Sequence, residues 1–250
     1  GDQAMLYVED KVYEETHRVQ YYQCDTKKRL KLGHLMWLMQ EAATEHYAKR
    51  GFDRAYLEAR GSIFLLSKIR LKIRQMPLAG EELQLYTWER GPKRAEYIRD
   101  YSIQNGRGEA LIEASTAWLV VDPVRHKLLL PATIVDMTNV YATEAGITAP
   151  EKLRFHGELA KWGEEVIRYS GMDCNGHLNN AEYGNLTCNM LEKHMFEKEL
   201  ATFQISFQRE ALGGQTLELF TGEENGGHYC VGKVEGKPSF DAFVTFQNEK

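Results

Sequence analysis

Asp173, Asn175 and His177 set an acid, an amide and an imidazole at alternate positions of one short segment, Asp173-Cys174-Asn175-Gly176-His177-Leu178-Asn179-Asn180. The segment is rich in turn formers, and an amphipathic run begins at Leu178. The polar groups therefore stand at the mouth of an expected helix. There the backbone N–H groups of Leu178 to Asn180, together with the positive end of the helix dipole, can receive a developing negative charge. That chemistry suits acyl transfer from a carbonyl compound. The same residues also read as a plain turn that caps a helix, and the motif alone does not separate the two.

An internal repeat shifts the balance. Leu78-Ala79-Gly80-Glu81-Glu82-Leu83-Gln84-Leu85-Tyr86-Thr87 resembles Leu212-Gly213-Gly214-Gln215-Thr216-Leu217-Glu218-Leu219-Phe220-Thr221, and Gly33-His34-Leu35 reappears as Gly176-His177-Leu178. Two copies at a long period indicate a duplicated domain rather than a solenoid. Aligned on these matches, Asp173 falls opposite Leu30, Asn175 opposite Leu32, His177 opposite His34 and Glu210 opposite Met76. One copy keeps a polar set that the other replaces largely with apolar residues. This asymmetry reads as one live site and one silenced site, with His34 as a packed or hydrogen-bonded residue at a helix start.

The 250 residues are 43% hydrophobic, enough for a substantial core in one large or two small domains. No run approaches the roughly 20 apolar residues of a membrane span. No basic segment followed by an apolar stretch marks a secretory signal at the N-terminus. Cys24, Cys174, Cys188 and Cys230 show no CxxC pair. They read as reduced thiols of a cytoplasmic protein, not as a disulfide frame or zinc site. No metal is expected, and His156, His194 and His228 read as surface or packing residues. A net charge of −5 gives no support to a nucleic-acid partner. Locally, Ser67 to Arg74 alternates. As a strand it puts Ile69, Leu71 and Ile73 on one face and Lys68, Arg70, Lys72 and Arg74 on the other. The basic face is either simply solvated or a seat for an anionic protein.

Each half reads as strand, helix, then several strands. In the first, a strand over 12–22 precedes a helix whose apolar positions run from Leu35 to Tyr47. Met36 and Trp37 make that helix apolar on more than one side, so it is expected to be wrapped. Strands follow near 62–75, 82–90, 94–104 and 109–121. In the second half, a strand over 164–170 and a helix over 178–194 precede strands near 201–209, 215–223, 227–235 and 239–247. Local hairpins with a single helix argue against a parallel design. The fold class is α+β, with a long antiparallel sheet wrapped around a central helix in each half. The N-terminal repeat spans 1–135, a linker 136–160 and the C-terminal repeat 161–250.

From about Val12 to Phe246 the chain resembles the acyl-ACP thioesterases of the double-hotdog kind. The resemblance rests on Asp173-x-Asn175-x-His177-Leu178-Asn179-Asn180, on Phe207-Gln208-Arg209-Glu210, and on Arg99-Asp100 with Ala114-Ser115-Thr116-Ala117-Trp118. It implies a tandem hotdog and the hydrolysis of fatty-acyl-ACP thioesters in fatty acid biosynthesis, with Asp173, Asn175, His177 and Glu210 as the catalytic set. Plant members carry a cysteine after the glutamate. Here Ala211 stands in its place, so a cysteine nucleophile at that position is ruled out. Cys174 matches no functional position of the family.

Direct attack by water follows as the simplest route. Glu210 is the expected base or water-orienting group, and His177 either donates to the thioester oxygen or shares the base role. Asn175 orients water or the carbonyl, and Asp173 fixes a histidine tautomer or holds the turn. Strand parity leaves it open whether Glu210 faces the cleft or is re-aimed by a bulge. By analogy the N-terminal repeat holds the acyl chain, with Met36, Trp37 and Met39 as candidate lining residues. The strand Lys68–Arg74 is the candidate seat for the acyl carrier protein. The implied substrate carries its own phosphopantetheine, so no cofactor is expected, and the chain is expected to be a monomer or homodimer. An acyl-CoA thioesterase and a non-catalytic acyl- or lipid-binding hotdog protein are the rival readings.

Overall fold

The computed structural model describes residues 11–134 and 139–248. The N-terminal stretch that bears on a secretory signal and residues 135–138 at the expected start of the linker lie outside the described residues.

Strands β1 (Val12–Arg18), β2 (Ile63–Ile73), β3 (Glu82–Lys93), β4 (Glu96–Gln104) and β5 (Ala110–Asp122) form the first half, with a short β6 (Lys127–Leu129) beside β5. The second half repeats the plan with β7 (Ala160–Val166), β8 (Leu200–Phe207), β9 (Thr216–Glu224), β10 (Gly227–Val234) and β11 (Lys237–Phe246). The strand order 1-3-4-5-2 in one half is matched by 7-9-10-11-8 in the other. The halves meet where β2 pairs antiparallel with β8, from Lys68 opposite Ser206 to Lys72 opposite Thr202. Every strand pair is antiparallel, and one continuous sheet runs through the molecule.

Helix α1 (Leu32–Lys49) buries Leu35, Met36, Met39, Ala42, Ala43, His46 and Tyr47, the i, i+3, i+4 spacing of one helical face. Trp37 is turned to the open side and is 36% exposed, so the helix is not wrapped all round. Its partner α3 (Asn180–Met190) approaches closely. A Cβ on Gly33 would strike the Asn185 side chain, and one on Gly184 the Met36 sulfur. One apolar cluster, including Leu35, Ile69, Phe203, Leu219 and Phe240, serves both halves.

Two features depart from expectation. The strands expected to run to 22 and 170 stop at Arg18 and Val166, and each is followed by a single 3₁₀ turn, Tyr21–Gln23 and Tyr169–Gly171. The helix expected over 178–194 breaks at Leu191, which is buried and leaves helical geometry, giving a separate α4 (Glu192–Glu197). A further helix, α2 (Arg54–Ala59), is capped by the Asp53 carboxylate, which accepts the Tyr56 N–H. Among the described residues no helix is long and apolar enough to cross a membrane.

The segment between the halves straps the sheet. Thr143 O accepts from the Trp88 indole, Ala145 N–H donates to Asp100, Thr148 accepts from Arg70, and Glu151 O accepts from Gln204. Beneath it lies a polar ladder. Ser115 donates to the Asp100 carboxylate at 2.6 Å and Thr116 to the Arg99 carbonyl at 2.8 Å. The Arg99 guanidinium meets His46 Nδ1 at 2.9 Å and donates to Thr87 at 3.1 Å. Burial, reinforced by Arg99, pushes His46 down to about 3, and burial raises Asp100 to about 6. The Arg99-Asp100 and Ser115-Thr116 pairs singled out in the sequence are thus parts of this ladder.

Candidate active site

The turn that carries the motif is closed by Asp173. Its Oδ1 accepts the N–H groups of Asn175 (2.9 Å) and His177 (3.0 Å). Its own N–H donates to the His177 carbonyl at 2.7 Å. Gly176 takes φ +79°, a left-handed conformation that favours glycine. The chain then runs antiparallel to residues 211–213. Leu178 N–H donates to Ala211 O (2.8 Å), Gly213 N–H donates to Gly176 O (3.0 Å), and His177 bridges Leu212. This register sets Glu210 beside the imidazole, with Glu210 Oε2 3.1 Å from His177 Nδ1. The His177 side chain is 25% exposed and that of Glu210 52%, so the imidazole is the more enclosed member of the pair and the carboxylate stands half open to solvent.

Strand parity does not govern Glu210. Strand β8 ends at Phe207, and the N–H groups of Gln208 and Arg209 both turn to the Ser239 carbonyl. Behind the glutamate, Ser239 Oγ donates to Arg209 O at 2.7 Å and lies 3.1 Å from the Tyr183 hydroxyl. Burial raises the Tyr183 phenol above its ordinary value, and the Glu210 and Asp173 carboxylates push the same way. Tyr183 thus remains a hydrogen-bond donor that fixes the backbone preceding Glu210.

The helix-mouth N–H groups are less available than expected. Leu178 is spent on Ala211 O and Asn179 on Gly171 O, while the Asn179 side chain caps α3 by accepting from Ala181 N–H. Of the three expected donors, Asn180 remains. Asn175 is exposed, and its Oδ1 accepts from Arg54 at 3.5 Å; the same guanidinium lies 3.4 Å from the Cys174 sulfur. Arg54 sits on α2 of the other repeat, so both halves contribute to the site. Arg54, Tyr183 and Ser239 were not legible as site residues. The Asp53 cap in front of a short run of helix formers signals the helix that carries Arg54, but nothing local aims it at Asn175.

The N-terminal copy corrects the alignment. The counterpart of the Asp173 turn is Asp25–Arg29, four residues or more before Gly33-His34-Leu35. Asp25 Oδ1 accepts the N–H groups of Lys27 and Arg29, Lys28 takes φ +60°, Leu30 N–H donates to Pro77 O, and Arg29 bridges Leu78. Asp173 is therefore matched by Asp25, Asn175 by Lys27 and His177 by Arg29, not by Leu30, Leu32 and His34. Met76 keeps its place opposite Glu210. The aspartate recurs because it closes the turn. Arg29 fills the histidine position and reaches α4, donating to the carbonyls of Met195 (2.6 Å) and Lys198 (2.8 Å) and pairing with Asp25 and Glu199. Beside it lies a cleft of about 540 Å³ lined by Asp25, Leu32, Met76, Cys188 and Phe196.

The remaining expected residues are dispersed. Lys68 pairs with Glu96, Arg70 donates to Thr148 and Arg74 pairs with Glu109, while Lys72 is exposed. Met36 and Met39 are buried in the shared core, on the side of α1 away from Trp37.

Two family descriptions match the chain, the acyl-ACP thioesterase N-terminal domain over residues 10–133 and the C-terminal domain over residues 161–243. The chain belongs to the acyl-ACP thioesterase family. A chloroplastic acyl-[acyl-carrier-protein] hydrolase of Cuphea viscosissima is 21% identical over 93% of this chain and 64% of its own length. A chloroplastic palmitoyl-acyl carrier protein thioesterase of Cuphea hookeriana is 21% identical over 87% and 56%. The chain thus spans somewhat under two thirds of these relatives. Among solved structures, an acyl-ACP thioesterase from Bacteroides thetaiotaomicron superposes with a TM-score of 0.84 at 21% identity, covering 96% of this chain and 99% of that one. The 12:0-ACP thioesterase from Umbellularia californica gives 0.78 at 17%, covering 95% and 98%. The fold is the family's double hotdog, as the sequence resemblance implied.

Proposed function

We propose that the chain hydrolyses fatty-acyl-ACP thioesters to free fatty acid and holo-carrier, at one site built on the Asp173–His177 turn. The observation that carries this reading is the 3.1 Å contact between Glu210 Oε2 and His177 Nδ1 in one copy, set against Met76 and Arg29 in the other. A carboxylate only accepts, so Nδ1 carries the ring proton and Nε2 offers its lone pair. His177 Nε2 then takes a proton from water as the water oxygen bonds to the thioester carbon. The tetrahedral oxyanion collapses, the C–S bond breaks, and the imidazolium returns the proton to the departing phosphopantetheine thiolate. Glu210 orients the ring and stabilises its cationic form. The roles first expected were base or water-orienting group for Glu210, and carbonyl donor or shared base for His177. Of these, this reading gives the base to His177 and leaves Glu210 as its support. Asn175, held by Arg54, orients the carbonyl or the water. Asp173 holds the turn. Lys72 is the member of the basic strand best placed to meet an acidic carrier, and the acyl chain lies toward the N-terminal repeat.

The four free cysteines support a reducing compartment such as the cytosol, and the pairing of both repeats within one chain supports a monomer. The test is thiol release from eight- to eighteen-carbon acyl chains carried on carrier protein and on CoA. Turnover favouring the carrier-bound series supports the proposal. Turnover confined to CoA establishes the rival thioesterase, and binding without release establishes a lipid-binding hotdog protein.

A further inference from the structure

Spacing gives His194 and His228 no partner, yet the fold brings them together. His194 lies on α4, Glu223 near the end of β9 and His228 at the start of β10, across the tight turn that joins the two strands. The two imidazole rings stand 4.3 Å apart between centroids, inclined by 44°. His228 Nδ1 is 3.7 Å from Glu223 Oε1, and one ligand atom from each of the three residues lies within 4.8 Å of the others. They line a cleft of about 470 Å³ with Glu158 and Lys193.

Internal bonding does not account for this cluster. A separation of 3.7 Å is too long for an N–H···O hydrogen bond. His194 Nδ1 is buried and has no hydrogen-bond partner, which is uncommon for a ring nitrogen. Two imidazoles and one carboxylate form a set of borderline softness that suits zinc, whereas calcium and magnesium require oxygen ligands. Zinc bonds of about 2.0–2.1 Å hold tetrahedral donors roughly 3.3 Å apart, so atoms within 4.8 Å of one another need draw in by at most about 1.5 Å. The Glu223 side chain is 77% exposed and free to swing inward. Lys193 on the rim opposes a cation, and Glu158 offsets it.

We infer that His194, Glu223 and His228 form a zinc-type divalent metal site, with a fourth position for water. It lies away from the thioester chemistry. Glu223 is near the far end of β9 from the Leu212 bridge, and His194 is near the far end of the helical segment that follows His177. Both paths put the metal on the order of 20 Å from His177. The ion clamps α4 to the β9–β10 turn, and α4 is the element that receives Arg29. Metal loading therefore bears on how firmly this inter-repeat contact is held.

The experiment uses tag-free protein stripped with a chelator. Zn²⁺ is titrated in competition with a chromophoric chelator, and Co²⁺ is followed by its visible absorption. One equivalent should bind, Co²⁺ should show the intense bands of a tetrahedral site, and saturating Zn²⁺ should raise Tm by roughly 5–10 °C. Glu223→Gln, at an exposed position that leaves the fold intact, should weaken binding by about tenfold or more, and His228→Gln should abolish it. Binding should survive His177→Gln. The inference is overturned if stripped wild type shows no saturable binding. It is equally overturned if the equivalent persists in both Glu223→Gln and His228→Gln, or disappears in His177→Gln, which would place the ion at the His177–Glu210 pair.

Discussion

In the proposed mechanism the two ring nitrogens of His177 have different duties, Nδ1 toward Glu210 and Nε2 toward the substrate. Replacing the carboxylate with an amide inverts the first of these. A glutamine at 210 can donate to Nδ1 and so favour the tautomer in which Nε2 holds the proton. Glu210→Gln should therefore lower kcat by roughly 10³ with little change in KM, and Glu210→Asp should retain part of the rate. His177→Gln should be at least as damaging, and the double variant should be little worse than the worse single. Steady-state kinetics on one acyl-carrier substrate tests this, and additive losses would show that the two residues act separately. At the same scale Asp173 is distinguished from its neighbours by Asp25. An aspartate whose Oδ1 closes the same turn in a copy lacking the histidine and glutamate is accounted for by backbone geometry, with Asp25 Oδ2 left to pair with Arg29.

At the scale of elements, each repeat lends a short helix to the turn of the other. Helix α2 brings Arg54 to Asn175, and α4 receives Arg29. The second contact is buried, and the Arg29 side chain is 7% exposed. Arg29→Met should strand the Met195 and Lys198 carbonyls and unpair Asp25, lowering stability by about 3 kcal/mol. A denaturant midpoint reads the loss, and hydrogen exchange should quicken first in α4. An unchanged midpoint would mean the guanidinium contributes no net stability. Most of these elements were legible. Leu35, Met39, Ala42, Ala43 and His46 mark the buried face of α1 by period alone, and the alternation from Lys68 to Ile73 marks β2. The boundaries after β1 and β7 were misplaced in the same way, because the 3₁₀ turns there carry aromatic residues that prolong a strand-like pattern. The repeat was read correctly at Leu78 and Leu212 but misregistered upstream. There the identical Gly-His-Leu triplets outweighed a true counterpart that shares Asp25 and Leu30 with Asp173 and Leu178. The pairing of His177 with Glu210 followed from no local pattern, since the Leu178–Ala211 bond that creates it joins segments separated in the chain by α3, α4 and β8.

Over the whole molecule, the buried ladder under the strap shapes the response to pH. His46 is neutral when folded, with its pKa lowered to about 3, so its contribution is present above about 6.5 and is lost as pH falls. Asp100 has its pKa raised to about 6, so its contribution is present below about 4 and is lost as pH rises, by up to about 3 kcal/mol. Between pH 4 and 6 the two slopes oppose each other. Asp100→Asn removes one of them. Relative to wild type, the variant should gain stability with rising pH, at about 1.4 kcal/mol per unit at most. Urea unfolding at intervals from pH 4 to 7 tests this, and parallel curves would refute it. The largest feature not legible in the sequence is the seam where β2 pairs with β8, because strand pairing between repeats leaves no mark on either strand alone. Its consequence is a division of labour. A twofold assembly of identical chains obliges every copy to perform every duty, whereas two repeats joined in one chain inherit their changes separately. The same position can then become a histidine on one side and a structural arginine on the other, and neither change has to be compatible with its opposite.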